Sequence, residues 1–164
     1  MKAIKLKIRT DEDPVLRKVS NPVKKIGISQ QFLIDCMIEA MHKFDGIGLA
    51  APQVGVNERI LVVDIGKGEH VFINPEILKS WGKSTQEEGC LSVPGRTVDV
   101  KRSEKILLKY LDEKGKEQRK EFQGLMARVI LHETDHLNGK LILDYAKSPD
   151  QIKTVKSKNK TPAV

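Results

Sequence analysis

Three side chains in one short stretch have the types and spacing for hydrolytic chemistry: His132, Glu133 and His136, in the order H-E-x-x-H. Positions i and i+4 stack two imidazoles on one face of a helix, where both reach a single divalent metal ion. Glu133 is one residue on and rotated off that line. Its carboxylate can therefore reach a metal-bound water without ligating the metal. A chance match is the competing reading, and the helical context weighs against it. A catalytic metal usually takes three protein ligands and leaves a corner open for water, so a third ligand is needed from elsewhere. Cys90, in the glycine-flanked loop expected between strands at Glu87-Glu88-Gly89-Cys90-Leu91-Ser92-Val93-Pro94-Gly95, is the best candidate. His42 and His70 are the alternatives, in less suggestive surroundings.

The element that must carry the histidines is a helix over 125–137. Gly124 precedes it, Asn138-Gly139 supplies a left-handed stop, and no proline interrupts it. Leu125, Val129, His132 and His136 form one stripe, which Met126, Ile130 and Leu137 widen. A helix so apolar is buried, and its histidines and glutamate then need partners. A second helix is expected from Ser29, as N-cap, to about Phe44, with Cys36 on its apolar stripe as a core residue and His42 at the surface. Between the two, the small-residue run Gly46-Ile47-Gly48-Leu49-Ala50-Ala51-Pro52-Gln53 allows close backbone approach, either as a tight loop or as one wall of a cleft. It does not fit the phosphate-cradling glycine patterns.

Strands are expected at Met1–Arg9, Arg59–Ile65 and His70–Pro75, and more weakly at Glu76–Trp81 and Thr97–Val100. Glu104–Leu111 and Gln118–Phe122 flank a hairpin turn at Asp112-Glu113-Lys114-Gly115. A short helix capped by Thr10 or Asp11 should run to about Val19. The sum is an α+β chain, antiparallel sheets packed around a central helix in the C-terminal half that carries H-E-x-x-H. One catalytic domain is expected over 1–147, with a basic tail over 148–164.

Composition narrows the class. Of 164 residues, 39% are apolar and 31% charged, ordinary for a globular chain. No apolar run is long enough to span a membrane, and the N-terminus lacks the apolar core of a signal peptide. A cytoplasmic protein is the expectation, in which Cys36 and Cys90 stay reduced. The net charge of +7 is concentrated in Lys153, Lys156, Lys158 and Lys160. Such a tail either contacts a phosphate-rich partner such as ribosomal RNA or is simply solvated. No nucleic-acid motif is present, and neither DNA nor membrane is an expected partner.

Three segments together resemble the ordered motifs of the peptide deformylases, bacterial type I-like. They are Gly46-Ile47-Gly48-Leu49-Ala50-Ala51-Pro52-Gln53, Glu88-Gly89-Cys90-Leu91-Ser92 and His132-Glu133-Thr134-Asp135-His136-Leu137, within a similarity reaching from about Ile8 to Tyr145. The resemblance implies removal of the formyl group from the N-terminal formylmethionine of newly made polypeptides, by attack of a metal-bound water that Glu133 activates. It implies Cys90, His132 and His136 as metal ligands, with Fe(II) the preferred metal and Zn, Ni or Co as substitutes. Glu133 would be the acid/base, and Gln53 and the Leu91 backbone N–H would polarise the formyl oxygen. Ile47, Gly48 and Gly89 would line the substrate groove, and Leu125 and Val129 the methionine pocket. Glu88 and Arg102 would pair near Cys90, while Asp135 either orients a ligand or lies outside the site. Leu131 departs from the family, where glutamine commonly precedes the first histidine; its effect should be confined to helix packing. Two rivals share some of these features. A zincin-type endopeptidase would take a His or Glu third ligand. A ribosome-associated module with a structural metal would need four protein ligands.

Overall fold

The computed structural model describes residues 5–155. In chain order the elements are α1 (Ile28–Lys43), β1 (Gly48–Ala50), β2 (Ile60–Val63), β3 (His70–Trp81), β4 (Ser84–Cys90), β5 (Val93–Arg102), β6 (Lys105–Leu111), β7 (Glu117–Gln123), α2 (Gly124–Leu137) and β8 (Ile152–Thr154). The strands form two antiparallel sheets, one of five strands in the order β1-β2-β3-β6-β7 and one of three in the order β4-β5-β8. The α+β architecture read from the sequence is the one found.

β2 shows why the larger sheet holds both helices. All four of its side chains are buried, and a strand's side chains alternate between faces. Ile60 and Val62 pack with Met37 and Met41 of α1, while Leu61 and Val63 pack with Val129 and Ile130 of α2. A separate core of Cys90, Val93, Val98, Val100 and Ile142 underlies the smaller sheet. No helix among the described residues is long and apolar enough to cross a membrane.

Several local expectations need correcting. Residues 1–4 lie outside the described chain, and 5–10 are irregular rather than a strand. Their alternation survives as burial: Leu6 and Ile8 pack on the α1 core, and the Arg9 N–H donates to the Gln53 carbonyl at 2.7 Å, but no ladder forms. The first helical turn is a 3-10 segment, Pro14–Arg17, capped by Asp13 rather than Thr10 or Asp11. Asp13 can accept from the Val15 N–H (3.0 Å) because Pro14, with no N–H of its own, stands at the first position. α1 starts one residue before Ser29, with the Gln30 side chain accepting from the Gly27 N–H at 2.9 Å.

β3 is one long strand rather than two. Pro75 is tolerated because the register shifts between Ile73 and Glu76, leaving its missing donor at an irregularity. Cys90 ends a strand, β4, rather than sitting in a loop. Part of the basic tail is built into the fold: a 3-10 turn at Pro149–Gln151 leads into β8, which pairs with β5 and includes Lys153. Lys156, Lys158 and Lys160 lie outside the described residues.

Candidate active site

Two elements meet at the site: the end of β4 and the middle of α2. His132 and His136 occupy successive turns of α2, with ring centroids 5.1 Å apart. Cys90 arrives from β4 with its Sγ 3.4 Å from His136 Nε2. One ligand atom from each of Cys90, His132 and His136 lies within 4.8 Å of the other two. All three residues are buried.

Their environment fits an ion. Burial lowers the basicity of His132, and of His136 further still, so both imidazoles stay neutral, the form that ligates. His132 Nδ1 lies 2.8 Å from Glu88 Oε1, which places the ring proton on Nδ1 and leaves Nε2 as the lone-pair nitrogen. Nε2 has no hydrogen-bond partner, and neither has either carboxylate oxygen of Glu133. Buried polar atoms are rarely orphaned; His136 Nδ1 is a fourth in the same place, and the lone-pair atoms among the four are suited to a positive group. Burial, reinforced by the Glu133 charge, pushes the Cys90 thiol up; a bound cation would reverse that by taking the thiolate.

Glu133 is fully buried, with Oε1 3.9 Å from His132 Nε2. Burial raises its carboxyl well above the usual range, although Arg102 pulls the other way. A buried carboxyl whose neutral form is favoured in this way is suited to accepting a proton and passing it on. Gly48 of β1 closes this side. A carbon at its Cβ position would lie 2.6 Å from Val129 Cγ1 and 2.9 Å from Glu133 Oε1, so the strand reaches the Glu133 carboxylate only as glycine.

Gln53 lies in a 3-10 turn, Ala51–Val54, immediately after β1. Its Oε1 accepts from the Ala50 N–H at 2.9 Å, while its Nε2 donates to Ser92 Oγ at 3.1 Å and lies 3.6 Å from Cys90 Sγ. The amide is thus aimed at the cysteine end of the site. Leu91 packs on the α1 core and would lie 2.8 Å from a Cβ on Gly46. Ile47 packs on the α2 core, and its carbonyl accepts from the Asp64 N–H at 2.9 Å. Gly89 is buried in β4 opposite Thr97. Of the pair Leu125 and Val129, only Val129 is fully buried. Leu125 is 49% exposed and lines a cavity of about 630 Å³ together with Trp81, Ser84, Gln86 and Arg128.

The other histidines go elsewhere. His42 faces Glu69 (3.1 Å) and Asp64 (3.7 Å), and His70 stacks on Phe72. Leu131 packs into the α2 core. The Asp135 carboxylate hydrogen-bonds neither His132 nor His136: it accepts from Arg102 at 2.9 Å and from the Tyr145 hydroxyl at 2.5 Å.

Glu88 is the hub behind the ligands. Arg102 donates to both of its oxygens (2.7 and 2.9 Å), His132 to one, and Arg128 to the other at 2.5 Å. Burial would raise this carboxyl, but the hydrogen bonds and charges of His132 and Arg102 hold it at about 2. The sequence alone assigns no individual role to Arg128, Ser92 or Tyr145. The available signal for Arg128 was a cation inside an apolar helix, one turn ahead of His132.

Comparison with known proteins gives a consistent result. The polypeptide deformylase family model matches residues 5–151. Peptide deformylase of Halothermothrix orenii is 51% identical over 141 residues, 85% of this chain and 92% of that one. Peptide deformylase of Clostridium botulinum is 53% identical over 137 residues, 84% and 93% of the two chains. Among solved structures, the Legionella pneumophila peptide deformylase superposes with a TM-score of 0.86 at 44% identity, covering 90% of this chain and 89% of that one. The Synechococcus elongatus peptide deformylase, solved in complex with actinonin, gives 0.86 at 39% identity, over 92% and 86%. With its cysteine, two histidines and buried glutamate gathered at the meeting of β4 and α2, this chain belongs to the polypeptide deformylases, a family of metal-dependent hydrolases.

Proposed function

We propose that the chain removes the formyl group from N-formylmethionyl nascent polypeptides, through a divalent ion held by Cys90, His132 and His136. The observation that carries this reading is the conjunction of three convergent ligand atoms with an unpartnered His132 Nε2 and an unpartnered Glu133 carboxylate beside it. Bound there, the ion would supply Lewis acidity, taking the pKa of a coordinated water from 15.7 towards about 7. Fe(II) is the metal we assign in the cell, with Zn, Ni and Co as substitutes. One thiolate among the ligands makes the ion a softer Lewis acid than a His/His/Glu set would.

The geometry supports the following part for the chain's own residues. Glu133 takes the proton of the attacking water on one of its free oxygens and returns it to the departing amine. As the formyl oxygen becomes negative, Gln53 exchanges its long contact to the Cys90 sulfur for that oxygen, and the Leu91 N–H donates beside it. One such donor is worth about 3 kcal/mol. Ile47, Gly48 and Gly89 present backbone to the substrate, and Val129 and Leu125 line the side for the methionine. A formyl carbon carries only hydrogen, and the crowding of Gly48 against Val129 and Glu133 supports exclusion of an acetyl group by sterics. We place this activity in the cytoplasm, in a catalytic domain that extends past 147 to take in β8, with the lysine-rich residues beyond it making transient contact with the ribosome.

The test is formate release from a formyl-Met peptide, run beside its acetylated and unformylated counterparts after anaerobic loading with Fe(II). Only the formylated peptide should turn over. Glu133→Gln should keep the ion, measured by elemental analysis, and lose at least about 100-fold in kcat. Cleavage within the unformylated peptide would instead establish an endopeptidase. Near-parent turnover in Glu133→Gln would remove Glu133 from the chemistry.

A further inference from the structure

Arg128 stands one helical turn ahead of His132, is 4% exposed, and has no part in the reaction as described. Its Nη1 donates to Glu88 Oε2 at 2.5 Å and to the Val100 carbonyl at 3.0 Å. Its Nη2 donates to the carbonyl and hydroxyl of Ser84 at 2.8 and 3.1 Å. Arg102 already engages the same carboxylate through Nε and Nη2. With His132 Nδ1 on Oε1, the carboxylate's acceptor positions, about four, are all taken. One buried anion therefore faces two guanidinium cations and an imidazole. Arg102 shares its charge with Asp135. Among the described residues, Glu88 is the only acidic group Arg128 pairs with.

We propose that Arg128 is a positioning residue that sets how strongly Glu88 draws on the His132 Nδ1 proton, and through it how tightly the Cys90–His132–His136 group holds a divalent ion. The proposal rests on the metal reading above. A carboxylate bonded to the far nitrogen of a ligating imidazole raises its donor strength. A cation on that carboxylate drains the effect, because charge-assisted bonds compete for the same electron density. Arg128 thus tempers His132, keeping the ion less firmly held and a better Lewis acid. The consequence has a sign that bracing does not share. Removing the Arg128 charge should tighten metal binding, whereas loss of a mere strut between α2 and β4 should loosen it.

The experiment measures the Zn(II) dissociation constant of the parent, Arg128→Gln and Arg128→Lys by competition with a chromophoric chelator at fixed pH. It also records the His132 Nδ1 proton and nitrogen shifts in the metal-free proteins. Arg128→Gln should bind zinc about tenfold more tightly, the low end of the range for groups behind a metal ligand, and move the Nδ1 proton downfield. Arg128→Lys, which keeps the cation, should return both readings towards the parent. A folded Arg128→Gln with unchanged or weaker affinity overturns the proposal. Should Arg128→Gln fail to fold, Arg128→Met removes the same charge. If neither neutral variant folds while Arg128→Lys behaves as the parent, Arg128 is a brace and the proposal falls. A parent that binds no zinc through Cys90, His132 and His136 brings down the metal reading as well; a parent that binds, with no tightening in Arg128→Gln, brings down this inference alone.

Discussion

Gly48 is the residue on which the tightest geometry turns. Its α-carbon comes close enough to α2 that an added methyl would fall 2.6 Å from Val129 and 2.9 Å from a Glu133 oxygen. Neither neighbour can retreat freely: Val129 has a stiff β-branched side chain packed in the α2 core, and Glu133 is wholly buried. Gly48→Ala should therefore displace Glu133 or lift β1 from the helix. A misplacement of about 1 Å near reacting atoms costs roughly 100-fold, so kcat/KM should fall by that order. The loss should appear in kcat as well as KM, since the proposed base is disturbed. Steady-state kinetics alongside a melting curve decide the matter. Parent-like kcat with a lowered melting temperature would mean that the crowding is structural and leaves the base where it was.

At the scale of elements, α2 is held at its end by a second close approach. Gly139 follows the helix with φ 75°, and a carbon at its Cβ position would lie 2.6 Å from the Arg17 carbonyl oxygen. Gly139→Ala meets both the left-handed penalty, about 1–2 kcal/mol, and a clash with backbone. The midpoint of thermal unfolding should drop by at least about 3–6 °C for a chain of this length. An unchanged midpoint would show that the Arg17 segment yields freely. This stop was legible in the sequence, as was α2 itself, because Asn-Gly after an apolar helical period carries its own conformational signal. So was the β6–β7 hairpin, from its turn residues. β4 was not: Ser84-Thr85-Gln86-Glu87-Glu88-Gly89-Cys90 shows no apolar alternation, and only its last three residues, Glu88, Gly89 and Cys90, are buried. Glu88 is buried only because two arginines and a histidine reach it from 14 to 44 positions away, and no local pattern encodes such a meeting. The alternation over 5–9 did encode burial, of Leu6 and Ile8, but whether such a segment joins a sheet is decided by tertiary contacts.

For the whole molecule, the Glu88 cluster is where the smaller sheet is fastened to α2. Arg102 of β5, Arg128 and His132 of α2 and, through Asp135, Tyr145 beyond the helix all converge there. Folding lowers the Glu88 carboxyl from 4.5 to about 2. A depressed carboxyl contributes stability that is present in full above its unfolded value and disappears as pH falls towards its folded one. In metal-free protein that window runs from about 4.5 down to 2, and the contribution is on the order of 3 kcal/mol. Urea unfolding across the window should show the parent losing more stability than Glu88→Gln, the two curves converging at the acid end. Parallel curves would place the anchorage elsewhere.

The separation of the ligands along the chain has a further consequence for biosynthesis. Cys90 and His136 stand 46 positions apart, with β5, β6 and β7 made between them. The sulfur is therefore synthesised well before either imidazole and can only wait. At the proposed metal site the full set of three ligand atoms exists only after α2 has been made and packed against β4, so a growing chain acquires it late in its synthesis.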